Sequence, residues 1–200
     1  MIERFLKAKH WKLFLLTFGI PIIFQFILMG FMLSNFTTTS NPDPVEMLSC
    51  MKFFPLIMVF FTAIFFGWFW SVAIGLQNKI PKNLTMNVKK FKLFFFIPII
   101  YIFCITIFIS YTMDGIIISG NEPNVGLFGS LFAFIVPMHL FSMFCILYTL
   151  YFVAKTIKTV ELQKEVKFSD FAGDFFLIWF YPIGIWIIQP KINKFIEESK

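Results

Sequence analysis

The chain has 200 residues, of which 58% are hydrophobic and 14% charged, with 32 Phe and a net charge of +6. A soluble domain is about 45–50% apolar and about 25% charged, so a water-exposed globule and a disordered chain are both excluded. What remains is an all-α integral membrane protein, expected as four transmembrane helices and a C-terminal re-entrant or interfacial helical hairpin in one membrane domain over residues 1–200.

The first apolar run, Leu13–Leu33, carries no charge and follows a basic front of Arg4, Lys7, Lys9 and Lys12. Its fourteen Leu, Ile, Phe and Val residues favour insertion by roughly 4 to 8 kcal/mol at about 0.3–0.6 each. The run is too long for a signal-peptide core, and Ser34–Ser40 has no small-x-small cleavage pattern, so the helix is read as retained. Gln25 lies within it as a candidate intramembrane polar group.

A second run covers Phe53–Leu76. Ala63, Gly67, Ser71 and Gly75 recur there every fourth residue, and helices in lipid associate where small side chains let backbones approach. The stripe therefore predicts helix packing within the monomer, with a homodimer face as the alternative.

The third and fourth runs are Leu93–Met113 and Leu127–Ala154. His139 falls in the middle of the fourth, where an ionisable side chain is a functional candidate by default. The plainer reading is a neutral imidazole bonded to a neighbouring helix. Met138, His139, Met143 and Cys145 would suit a soft metal, but their spacing spreads them around the helix. His10 sits at a helix boundary, so a bis-histidine haem has no second ligand. Cys50, Cys104 and Cys145 are an odd number and imply no disulfide framework. No metal, cofactor or catalytic constellation is expected. Thr106, Ser110 and Tyr111 are expected to bridge helices, Asp114 and Asp174 to bound or cap spans, and Pro21, Pro98 and Pro137 to kink them.

The first two helices echo the next two. Trp11-Lys12-Leu13-Phe14 with Ile20-Pro21-Ile22-Ile23 parallels Phe91-Lys92-Leu93-Phe94 with Ile97-Pro98-Ile99-Ile100. Ser40, Pro44 and Leu48 likewise parallel Ser119, Pro123 and Leu127. Repeated hairpins of this kind occur in transporters.

Cations set the expected orientation. The N-terminal tail and the loops after the second and fourth runs hold thirteen Lys or Arg, whereas Ser34–Lys52 holds Lys52 alone and Asp114–Gly126 holds none. The positive-inside rule then puts the N-terminus in the cytoplasm.

Phe175–Gln189 is as apolar as the spans but only fifteen residues long, about 22 Å as helix. Crossing would carry Lys191, Lys194 and Lys200 outside, so a re-entrant or in-plane segment is expected, broken at Pro182 and Gly184. Trp11, Trp68, Trp70, Trp179, Tyr181 and Trp186 would form a belt at the membrane interface. Ile192, Phe195 and Ile196, beside Lys191 and Lys194, predict an amphipathic tail over 191–200 lying on anionic headgroups.

Asp174-Phe175-Phe176, Trp179-Phe180-Tyr181-Pro182-Ile183-Gly184-Ile185-Trp186 and Gln189-Pro190-Lys191-Ile192-Asn193 together resemble the C-terminal signature of a family of multi-pass bacterial membrane proteins of unknown activity. That resemblance implies a bacterial inner membrane and no mechanism. The function expected is a structural or partner-binding membrane subunit without catalysis. Its partners would be the lipid bilayer, other membrane proteins or a second copy, and not nucleic acid. The alternative is a small transporter or channel module of repeated hairpins around Gln25 and His139.

Overall fold

A computed structural model of the chain describes residues 2–38, 53–119 and 125–197. Among the described residues the protein is all-α, and four helical stretches are long and apolar enough to cross a membrane: His10–Asn35, Phe54–Lys79, Val88–Thr112 and Phe132–Leu162. The chain order is α1 (Ile2–Leu6), α2 (His10–Phe14), a π turn at Leu15–Gly19, α3 (Ile20–Thr38), α4 (Phe54–Gly75), α5 (Val88–Ser119), α6 (Val125–Leu162), α7 (Phe168–Trp179) and α8 (Tyr181–Glu197). Several helices outrun the predicted apolar runs. Hydropathy marks the stretch suited to lipid, whereas the backbone ladder continues while its own hydrogen bonds are met.

The π turn has a local cause. Pro21 has no N–H for the carbonyl of Thr17, and its ring crowds that carbonyl. The turn widens, and the Ile20 N–H reaches back to the carbonyl of Leu15. By contrast, α5 and α6 run as α-helix through Pro98 and Pro137. The two echoing hairpins are thus built differently at their matched prolines. Of their echoing loop positions, Ser40, Pro44, Leu48 and Pro123 lie outside the described residues, as do the side chains of Ser119 and Leu127, and those of Asp114 and Glu122.

Burial is concentrated at the basic end of the bundle. Phe66, Trp68, Phe69, Val72, Ala73 and Leu76 of α4 meet Phe91 and Phe95 of α5 and the stretch from Leu150 to Val160 of α6. Phe171, Ile178, Ile185, Ile188 and Ile192 complete this core from α7 and α8. No described side chain of α3 is buried.

Helices α7 and α8 form the C-terminal hairpin. Phe180 (φ −87°, ψ 55°) ends α7 and reverses the chain, two residues before the expected break. Pro182 is the second residue of α8, where its missing N–H has no intrahelical partner to lose. Gly184 lies against the backbone carbonyl of Leu177, and a Cβ there would overlap it. The arms of 12 and 17 residues are about 18 and 26 Å long, each short of a hydrocarbon core of about 30 Å. At the start of α7 the Lys167 N–H donates to Asp170 Oδ2 at 2.7 Å, a cap of the first turn.

The expected tail at 191–200 is corrected in part. Helix α8 continues through Pro190, Ile192 is fully buried, and Phe195 and Ile196 are half-buried. Lys79 Nζ donates to the carbonyl of Phe195 at 2.7 Å. The apolar face that hydropathy assigned to headgroups packs on the protein core; residues 198–200 lie outside the described residues.

Candidate functional site

Two polar constellations stand out in this apolar chain. The first is a clasp at the basic end. Gln189 is fully buried, and its Oε1 accepts the Trp68 indole N–H at 2.7 Å. Its amide nitrogen faces the carbonyls of Phe5, Leu6 and Ala8 at 3.1, 3.2 and 3.0 Å, and Asn193 Oδ1 at 2.9 Å. Asn193 Nδ2 also donates to the Ala8 carbonyl at 3.2 Å. The last carbonyls of any helix lack intrahelical partners, so α8 supplies those that end α1. One side chain joins three elements.

Beside the clasp, Lys191 Nζ lies 2.6 Å from Glu161 Oε2 and 3.2 Å from Asp174 Oδ1, and Lys158 Nζ lies 2.8 Å from the same Glu161 oxygen. Asp174 is 9% exposed. It is therefore a buried ion-pair partner within α7 and not a cap, because burial of a carboxylate is tolerated when a cation compensates it.

The small-residue stripe receives a helix that hydropathy did not reveal. A Cβ at Gly75 would come within 2.6 Å of Ile2 and 2.7 Å of Leu6, and one at Gly67 within 3.0 Å of Phe5. Ser71 is buried and donates to the carbonyl of Gly67 at 2.7 Å. The helix seated there is the short α1. Ala63, further along, is exposed and borders a cavity.

The expected interfacial aromatics divide. Trp11, Trp179 and Trp186 are 46–50% exposed, and Trp70 is half-buried beside Phe91 and Phe95, with Lys92 over its ring. Trp68 and Tyr181 are instead inside, correcting their assignment to the interface. Their rings meet edge to face at 5.2 Å between centroids, and Tyr181 also touches Phe18 and Phe65. Burial pushes the Tyr181 phenol above its ordinary pKa, partly offset by the Thr17 hydroxyl.

The second constellation joins α5 to α6. The Tyr101 hydroxyl and His139 Nδ1 lie 3.2 Å apart. Both border a cavity of about 140 Å³ that Phe54, Pro55, Met58 and Thr106 also line. Gln25 is not among its walls; it is exposed on α3 and forms no hydrogen bond among the described residues. The structure therefore does not bring Gln25 and His139 to one site. Thr106 and Ser110, expected to bridge helices, bond back to the carbonyls of Ile102 and Thr106 at 2.7 and 2.9 Å, a local outlet open to hydroxyl side chains. Tyr111 is 80% exposed.

Among the described residues no group of three His, Cys, Asp or Glu is placed to hold a metal ion. Cys104 is exposed and Cys145 buried, while Cys50 lies outside the described residues. Sequence reading missed Gln189, Asn193 and Tyr101. Polar side chains among Ile and Phe were the available signal, since lipid-embedded polar groups seek partners. Compared with protein families, curated proteins and solved structures, the chain matches none.

Proposed function

We infer that this chain is a non-catalytic, partner-binding subunit of a bacterial inner membrane, with both termini cytoplasmic and the C-terminal hairpin dipping into the cytoplasmic leaflet. The observation that carries the reading is α3. None of its described side chains is buried, and the Gln25 amide, on an apolar helix, has no hydrogen-bond partner among the described residues. In hydrocarbon such an amide is satisfied by another helix, which supports a partner helix from another membrane protein or a second copy.

The re-entrant hairpin is supported by its surface. Phe176, Trp179, Phe180, Ile183, Trp186 and Ile187 are 47–67% exposed, an apolar patch suited to acyl chains rather than water. Both arms join at the basic end, as the positive-inside rule favours. The C-terminal signature supports the bacterial setting by resemblance.

The test is photo-crosslinking in cells from a photoreactive residue at Met29, an exposed position one turn further along α3, followed by mass spectrometry of the products. A discrete adduct with a protein, lost when Gln25→Leu is added, is the expected result. Adducts with lipid alone overturn the reading. A transporter or channel module is the second reading, favoured by the cavity at His139; the separation of that cavity from Gln25 counts against a shared pathway.

A further inference from the structure

Helices α5 and α6 pack together along the stretch that holds Tyr101 and His139. A cavity of about 460 Å³ lies between them, within the range of about 300–1,000 Å³ usual for small-molecule sites. Ile97, Ile100, Phe108, Phe134 and Met138 are among its walls, and Tyr101 and Ile105 separate it from the smaller cavity bordered by His139. A long apolar space thus adjoins a short one holding a polar pair.

The pair has one hydrogen to offer. A neutral imidazole carries one ring N–H. When the Tyr101 O–H donates to Nδ1, that proton resides on Nε2. Nε2 has no partner among the described residues, and hydrocarbon makes an unpaired N–H expensive.

Depth narrows what can accept it. Tyr101 follows Lys92 by nine residues, about 14 Å along its helix, and His139 lies beside it at the same depth. Both lie inside a core of about 30 Å. Phosphate and ester groups of phospholipids stay at the interface, so the acceptor belongs to a molecule whose polar part enters the hydrocarbon.

We propose that the two cavities form one binding site for a neutral lipid with a carbonyl-bearing ring on an apolar tail, the chemistry of an isoprenoid quinone. A ring carbonyl accepts the His139 Nε2–H, and the tail lies along the apolar cavity. Tyr101 is a positioning residue that sets the imidazole tautomer. The site binds and orients; no bond is made or broken in it.

The test uses the full chain in phosphatidylcholine nanodiscs with an azido derivative of decylubiquinone as photoprobe, mapped by peptide mass spectrometry. Expected are saturable labelling on α5 and α6 and competition by decylubiquinone but not by decylbenzene, which has the tail without the carbonyls. His139→Leu is expected to weaken competition at least tenfold, Tyr101→Phe by less, and His139→Gln, which keeps an N–H, by least. Thermal unfolding of each variant separates loss of the site from loss of the fold. If a variant does not fold, the unsubstituted chain decides alone. Labelling that fails to saturate, equal competition by decylbenzene, or unchanged competition in folded His139→Leu overturns the proposal.

Discussion

Trp68 and Gln189, 121 residues apart, meet in a buried hydrogen bond of 2.7 Å. Around that bond the first helix, the second span and the C-terminal hairpin are held together. Gln189→Leu leaves the Trp68 N–H and the Leu6 carbonyl without partners, while the Phe5 and Ala8 carbonyls keep the Ala8 N–H and Asn193 Nδ2. Each unsatisfied buried group costs about 1–3 kcal/mol, so a loss of roughly 3 kcal/mol is expected in unfolding from detergent micelles. A double-mutant cycle with Trp68→Phe should show coupling of about 0.5–3 kcal/mol. Simple additivity would mean the bond is incidental.

Two glycines of the hairpin should respond oppositely. Gly184→Ala drives a methyl group into the Leu177 carbonyl, and overpacking costs about 1–3 kcal/mol or more. Gly173 has open space within 4 Å, so Gly173→Ala should be neutral or stabilising by up to about 1 kcal/mol from helix propensity. Melting temperatures of the two variants, measured side by side, check the contrast.

The stripe on α4 should hold α1 in place. Gly75→Leu and Gly67→Leu introduce side chains where Ile2, Leu6 and Phe5 now lie. Trypsin cleavage at Lys7 and Lys9 in inverted membrane vesicles should accelerate in both. Ala63→Leu, at an exposed position, should leave cleavage unchanged. Equal rates in all three variants would place α1 elsewhere.

Removing Lys191 strands the Asp174 carboxylate, whereas Glu161 keeps its pair with Lys158. Lys191→Met should destabilise by about 1–3 kcal/mol, and adding Asp174→Asn should recover part of that loss, since the penalty lies largely in the uncompensated charge. Chemical denaturation of single and double variants measures it. A double variant worse than Lys191→Met alone contradicts the ion-pair account.

Orientation is open to a direct assay. A reporter active only outside the cell, fused after Lys200, should stay silent, and one active in the cytoplasm should work. The reverse outcome would require the hairpin to open into a fifth crossing.

The membrane-crossing helices were readable because burying a backbone in hydrocarbon demands long apolar helices, and Leu13–Leu33 or Leu93–Met113 advertise this by composition alone. Helix α1 was not readable. Five residues carry no distinguishable period, and its position depends on Gly67 and Gly75 being free to receive it. Nor could hydropathy separate Trp68 from Trp70. In a chain where nearly every residue is apolar, the same side chain suits lipid and core equally.

The sequence by itself determined that four stretches are long and apolar enough to cross a membrane and that the final apolar segment is shorter than these, since both follow from length measured against a bilayer. Tertiary structure alone decided which aromatics turn inward, what covers the small-residue stripe and whether His139 has a neighbour. Those outcomes depend on hydrogen bonds such as Trp68–Gln189 and Tyr101–His139, whose partners are far apart in sequence and brought together by the fold.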